Sequence, residues 1–107
     1  MIEELKEETI LSEIKNIADC CGYNAQSNQL IEECAELIQA VNKYRRAIGN
    51  EDTEQIALFN LVEEIADVEI MLEQIKHLLH IPEEDILSVK LYKVNRTKER
   101  IAGSKGE

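Results

Sequence analysis

The chain has 107 residues, 44% of them apolar, with three Tyr, one Phe and no Trp; that suits one domain with an aliphatic core and excludes wholesale disorder. A net charge of −10 argues against a nucleic-acid polymer as partner, because basic surfaces supply most of that affinity, and against docking on anionic membranes. No apolar run approaches the ~20 residues of a membrane span and Met1-Ile2-Glu3-Glu4 lacks signal-peptide character, so a cytoplasmic protein is expected.

Apolar spacing predicts four helices and no repeats, an all-α, bundle-like domain over residues 1–102 with a fraying tail over 103–107. The first helix runs from about Glu4 to Cys21, with Ile10, Ile14, Ile17 and Cys21 on one stripe, and stops at Gly22. A polar turn over Tyr23 to Asn28 leads into the second, from about Gln29 to Ile48, whose stripe is Leu30, Cys34, Leu37, Val41, Tyr44 and Ile48. The third begins near Thr53 or Glu54, with Asp52 to Asn60 a possible separate short helix, and reaches about Leu79. Its stripe is Leu61, Ile65, Val68, Leu72, Ile75 and Leu79. Both stripes step by four then three, the pattern two helices need to share a seam. Pro82 is placed to start the fourth helix, which runs to about Ile101.

Further apolar residues, Ile31 and Ile38 on the second helix and Met71 and Leu78 on the third, lie beside these stripes. A domain this short struggles to bury so much apolar surface alone, so a homodimer or homotetramer is expected. Cys20, Cys21 and Cys34 have no zinc-ligand spacing and read as reduced, half-buried thiols of a cytosolic protein.

Two acidic motifs lie within the helical pattern, Glu32-Glu33-x-x-Glu36 and Glu63-Glu64-x-x-Asp67. Residues three apart share a helix face, so Glu33/Glu36 and Glu64/Asp67 form two carboxylate pairs on neighbouring helices. Glu decorates many solvent faces, but placement sets these apart. At about 100° per residue, Glu64 points between Leu61, Val68, Met71 and Ile75, inside the stripe. Asp67 borders it beside Met71 and Leu78, and Glu33 flanks Leu30, Leu37 and Tyr44, whereas Glu32 and Glu63 project away as surface acids. A lone carboxylate in an apolar seam costs several kcal/mol unless paired, protonated or metal-bound, and basic partners on these helices are too few.

An all-oxygen set suits Mg²⁺, with Mn²⁺ as substitute. Di-iron bundles need Glu-x-x-His on two helices; neither His77 nor His80 stands three residues after a Glu, and both read as helix-end surface residues. Mg²⁺ keeps waters and recruits substrate phosphate oxygens, and basic groups should meet the distal phosphates. Lys93, Arg96 and Arg100 form a one-sided basic stripe on the fourth helix, and Lys43, Arg45 and Arg46 a second cluster that also suits the helix dipole.

The order Glu33-x-x-Glu36, 27 intervening residues, Glu64-x-x-Asp67 resembles the MazG-like branch of the all-α nucleoside triphosphate pyrophosphohydrolases. The strings Ile31-Glu32-Glu33-Cys34-Ala35-Glu36-Leu37 and Glu63-Glu64-Ile65-Ala66-Asp67-Val68 look like that family's motifs, and the likeness continues into Lys93-x-Asn95-Arg96, spanning roughly Leu30 to Ile101. The resemblance implies Mg²⁺-dependent hydrolysis of a nucleoside triphosphate, ribo or deoxy, to the monophosphate and pyrophosphate, a house-cleaning activity on the nucleotide pool. By position it makes Glu33, Glu36, Glu64 and Asp67 metal ligands, with Glu33 or Glu36 as general base, and Lys93, Asn95 and Arg96 phosphate contacts. It also implies dimers or tetramers. One departure concerns the base: many relatives place Trp, Phe or His near the N-terminus to hold it, where this chain has Tyr23, Asn24, Gln26, Asn28 and Gln29. The alternative reading is a non-catalytic helical interaction or regulatory module, in which the acids set pairing specificity between helices. A response of melting temperature to Mg²⁺ with nucleotide separates the two.

Overall fold

Aliphatic spacing, acid-rich first turns on three helices and glycines after two of them divide the chain into four α-helices, seen in a computed structural model that describes residues 6–105. They are α1 (Glu7–Cys21), α2 (Tyr23–Ala47), α3 (Glu51–Leu78) and α4 (Glu83–Lys105), with no strand among the described residues. The expected start of the first helix at Glu4 lies outside the described residues; Lys6 is extended, at φ −68° and ψ 152°, and the helix opens with Glu7 and Glu8 against its dipole.

The polar turn over Tyr23 to Asn28 does not exist. Gly22 alone, at φ 85°, closes α1 through its N–H to the Ala18 carbonyl and opens α2. Only glycine takes that backbone cheaply. The polar residues behind it are helical because the fold uses them: Gln26 sits on the α2/α3 seam and binds Gln74. Ile48, Gly49 (φ 91°) and Asn50 turn the chain back, so α2 and α3 run antiparallel. The segment from Asp52 to Asn60 belongs to α3, whose 28 residues are unbroken and span about 42 Å. At its far end His80 takes the left-handed conformation, φ 56°, and the Ile81 N–H returns to the Lys76 carbonyl, a Schellman-type stop. Residues 103–105 belong to α4; 106 and 107 lie outside the described residues.

The α2/α3 hairpin is the body of the fold, and α1 packs chiefly on α3. The seam between α2 and α3 differs by one residue from the expected stripes. The half-buried or buried positions that repeat along the seam are Gln26, Leu30, Glu33, Leu37, Ala40, Tyr44 and Ala47 on α2, with Cys34 of the expected stripe half-buried beside them. On α3 they are Ala57, Leu61, Glu64, Val68, Met71, Ile75 and Leu78, with Asn60, Asp67 and Gln74 beside them. Val41, Ile48, Ile65, Leu72 and Leu79, expected inside, are exposed. Close backbone approach explains the exchange: Ala18, Ala40 and Ala47 are buried where helices meet, and a larger residue at those points would overpack the contact. On α1 likewise, Ile10, Ile17 and Cys21 of the expected stripe are exposed, while Leu11, Ile14 and Ala18 face inward.

Three helices pack; the fourth stands off. Among the described residues α4 packs against no other helix, and only its first turn is tied down, by the Lys76–Glu83 ion pair. Its apolar residues Leu87, Leu91, Val94 and Ile101 step by four, three and seven, and all are exposed. The radius of gyration is accordingly 17.8 Å, against about 13 Å for a compact chain of this length. No described helix is long and apolar enough to cross a membrane.

Candidate functional site

Opposed residues on α2 and α3 obey one register. Gln26 meets Gln74, Glu33 meets Asp67 and Glu36 meets Glu64, each pair of residue numbers totalling 100. The two acidic motifs, read as i, i+3 pairs, are thus brought face to face by an antiparallel seam. One carboxylate oxygen from each of Glu33, Glu64 and Asp67 lies within 4.8 Å of the other two. Glu36, on the exposed rim, completes the group through its carboxyl beside that of Glu64.

Helix placement explains the inward turn. Glu33 lies one heptad after Gln26 and one before Ala40, on the track facing α3; Glu64 lies between Ala57 and Met71 on the facing track. Gln29, one turn earlier on α2, donates its amide N–H to Glu33 Oε1 at 2.8 Å and holds that side chain in place. The second oxygen of Glu33, and Oε2 of Glu64, are buried without any hydrogen-bond partner. Among the described residues the ion pairs are Lys76–Glu73, Lys76–Glu83 and His77–Asp19, so none reaches the cluster.

The electrostatics follow. Desolvation pushes the Glu64 carboxyl above its ordinary value, and the neighbouring Glu36, Asp67 and Glu33 carboxylates push it further. Asp67 is raised first by desolvation, then by the neighbouring Glu33 carboxylate. Every charge acting on Glu64 is negative. Two orphaned buried oxygens in an all-carboxylate set fit a hard divalent cation, which would fill the missing lone-pair contacts and cancel the repulsion.

Lys93, Asn95 and Arg96 are not brought to these acids within one chain. They are exposed on α4, where the Arg96 guanidinium lies over the Tyr92 ring, 5.6 Å from its centroid. Sequence reasoning placed His77 and His80 at a helix end; His77 additionally joins α3 to α1, its Nε2 2.8 Å from Asp19 Oδ1. Cys20 and Cys21, expected half-buried, are exposed, and only Cys34 is partly covered; all three are free.

A groove that the stripe analysis missed opens on the same seam beyond the acids. It encloses about 600 Å³ and is lined by Lys43 and Arg46 of α2 and by Thr53, Phe59, Asn60 and Glu63 of α3. Lys43 is two turns after Glu36, and Asn60 is one turn before Glu64. Lys43 and Arg46 were legible only as a basic cluster at a helix end; Asn60 carried no signal.

No family model matches this chain, and neither a curated protein nor a solved structure does.

Proposed function

We propose that this chain is a Mg²⁺-dependent nucleoside triphosphate pyrophosphohydrolase of the MazG-like type, converting a triphosphate to its monophosphate and pyrophosphate. The observation that carries the reading is the convergence of Glu33, Glu64 and Asp67 within 4.8 Å, with two buried carboxylate oxygens that nothing else satisfies. Two motifs about thirty residues apart in sequence meet in one place, and the same motifs carry the family resemblance.

Glu33, Glu36, Glu64 and Asp67 would hold the Mg²⁺. When bound, that ion neutralises phosphate charge and lowers the pKa of a coordinated water. The protein's own part is positional. The α2/α3 seam fixes the carboxylates before substrate arrives, and the Gln29 hydrogen bond keeps Glu33 aimed inward. Glu33 or Glu36 takes the proton from the attacking water. Glu36, exposed at the rim, is the more open to solvent and exchanges that proton readily.

Lys93, Asn95 and Arg96 can serve as phosphate contacts only across copies, where α4 of one chain covers the α2/α3 seam of another. The unpartnered apolar stripe of α4, with Ile31 and Ile38 exposed on α2, supports such a homo-oligomer. The test is a panel of common and modified nucleoside triphosphates with Mg²⁺ or Mn²⁺, assayed for pyrophosphate and orthophosphate separately. Pyrophosphate from at least one substrate is expected; no product from the whole panel sinks the proposal.

A further inference from the structure

We infer that the groove lined by Lys43, Arg46 and Asn60 is an anion subsite that receives the pyrophosphate end of the substrate within the same chain. The inference rests on the hydrolase reading but departs from the phosphate contacts on α4 that the motif resemblance implies.

Three observations converge on it. First, the groove continues the seam that holds the acids. Glu36 and Lys43 are seven residues apart on α2, about 10.5 Å along the axis, and Asn60 and Glu64 four apart on α3, about 6 Å. A polyphosphate anchored at the carboxylates therefore extends along the seam to the long Lys43 and Arg46 side chains. Second, both cations are uncommitted: among the described residues neither Lys43 nor Arg46 forms an ion pair. A groove that also contains Glu63 nevertheless leaves them free. Third, the other basic stripe is on α4, which packs against none of the helices that build the site.

The chemistry suits the leaving group. Pyrophosphate carries several negative charges and only acceptor oxygens. Lys43 offers a mobile point charge, Arg46 a planar fork and Asn60 an amide donor. Cations placed there stabilise the charge that builds on the departing phosphates, which a site made of carboxylates alone cannot do. The nucleoside end is then directed away from the groove, past the carboxylates toward Gln29.

The test is calorimetric titration of the full-length protein with inorganic pyrophosphate and, separately, with a nucleoside monophosphate, both with Mg²⁺. The double variant Lys43→Ala/Arg46→Ala should weaken pyrophosphate binding at least tenfold and leave monophosphate binding within about twofold. Lys43→Arg/Arg46→Lys should restore most of the loss, and both side chains are exposed, so folding is not at stake. Lys93→Ala/Arg96→Ala, whose α4 cations reach phosphate only across copies, should weaken pyrophosphate binding less than the groove variant does. Loss confined to the α4 variant, or loss of monophosphate rather than pyrophosphate binding in the groove variant, overturns the subsite while leaving the hydrolase reading intact. A wild-type protein that binds neither ligand and turns over no triphosphate overturns both.

Discussion

Glu33 and Asp67 face each other across the α2/α3 seam with a carboxylate oxygen of each within 4.8 Å of the other, one heptad along from Gln26 and Gln74, which occupy the equivalent positions and are joined at 2.6 Å. The same register thus produces two polar layers of opposite character. The amide layer is self-satisfied, because each Gln carries both donors and acceptors. The carboxylate layer has only acceptors when ionised, so it is stable only with protons or a cation. One layer locks the hairpin, and the other leaves two buried oxygens without a partner.

Glu64→Gln separates these roles. The substitution keeps the shape, removes one of the mutually repelling charges and withdraws a cation ligand. Turnover should fall by at least a hundredfold, while circular dichroism stays helical. Without metal the variant should melt higher than wild type at neutral pH, and Mg²⁺ should no longer raise its melting temperature. A variant that retains full activity would remove Glu64 from the site.

The cluster also sets a pH dependence. Glu64 and Asp67 are raised from ordinary values of 4.5 and 3.8, so above those values the native chain keeps protons that the unfolded chain has released. Metal-free stability should therefore fall as pH climbs from about 4 through the folded-state values, and the full penalty should be present beyond them. Mg²⁺ competes with those protons, so the melting-temperature gain from Mg²⁺ should grow over the same window. Urea melts at pH 5 and pH 8, with and without Mg²⁺, check this. Glu63→Gln, an exposed neighbour, serves as control and should leave the difference unchanged.

Gln74 is the largest fully buried side chain and 1% exposed. It accepts from Gln26 and donates to the Ile14 carbonyl of α1 at 3.1 Å, so one residue ties three helices. Gln74→Ala should cost about 1–3 kcal/mol in chemical denaturation, the range for losing buried hydrogen bonds, and should raise amide exchange throughout α1. Gln26→Ala should cost less, because Gln26 is only half-buried and water can replace part of its contact. Equal costs would refute the special role of Gln74.

The face of α4 gives a prediction about assembly. Leu87 is 66% exposed and Leu91 62%, one turn apart on a helix that, beyond the Lys76–Glu83 ion pair at its start, packs against no other among the described residues. If a second copy covers that face, Leu87→Asp/Leu91→Asp should reduce the sedimentation mass of the wild-type oligomer toward that of a single chain. A wild-type protein that sediments as a monomer at micromolar concentration rules the assembly out.

The helical content, the four elements and the inward turn of Glu33 and Glu64 followed from the chain alone. Period-3.6 spacing and acidic first turns act over one or two turns of helix, and an acid among aliphatics on one face is visible without coordinates. The connection at Gly22 was also marked, although its length was not. Tyr23 to Asn28 looked like a turn by composition, and only the Gln26–Gln74 contact shows why they are helical. The seam itself was a tertiary decision. Apolar size favoured Val41, Ile48, Ile65 and Leu72, yet close approach of two long helices selected Ala40, Ala47 and Met71. A one-residue rotation of that kind depends on the partner surface, which no local pattern encodes. So too does the meeting of Glu36 with Glu64 and of Glu33 with Asp67: each motif holds its own half, and the antiparallel register supplies the other.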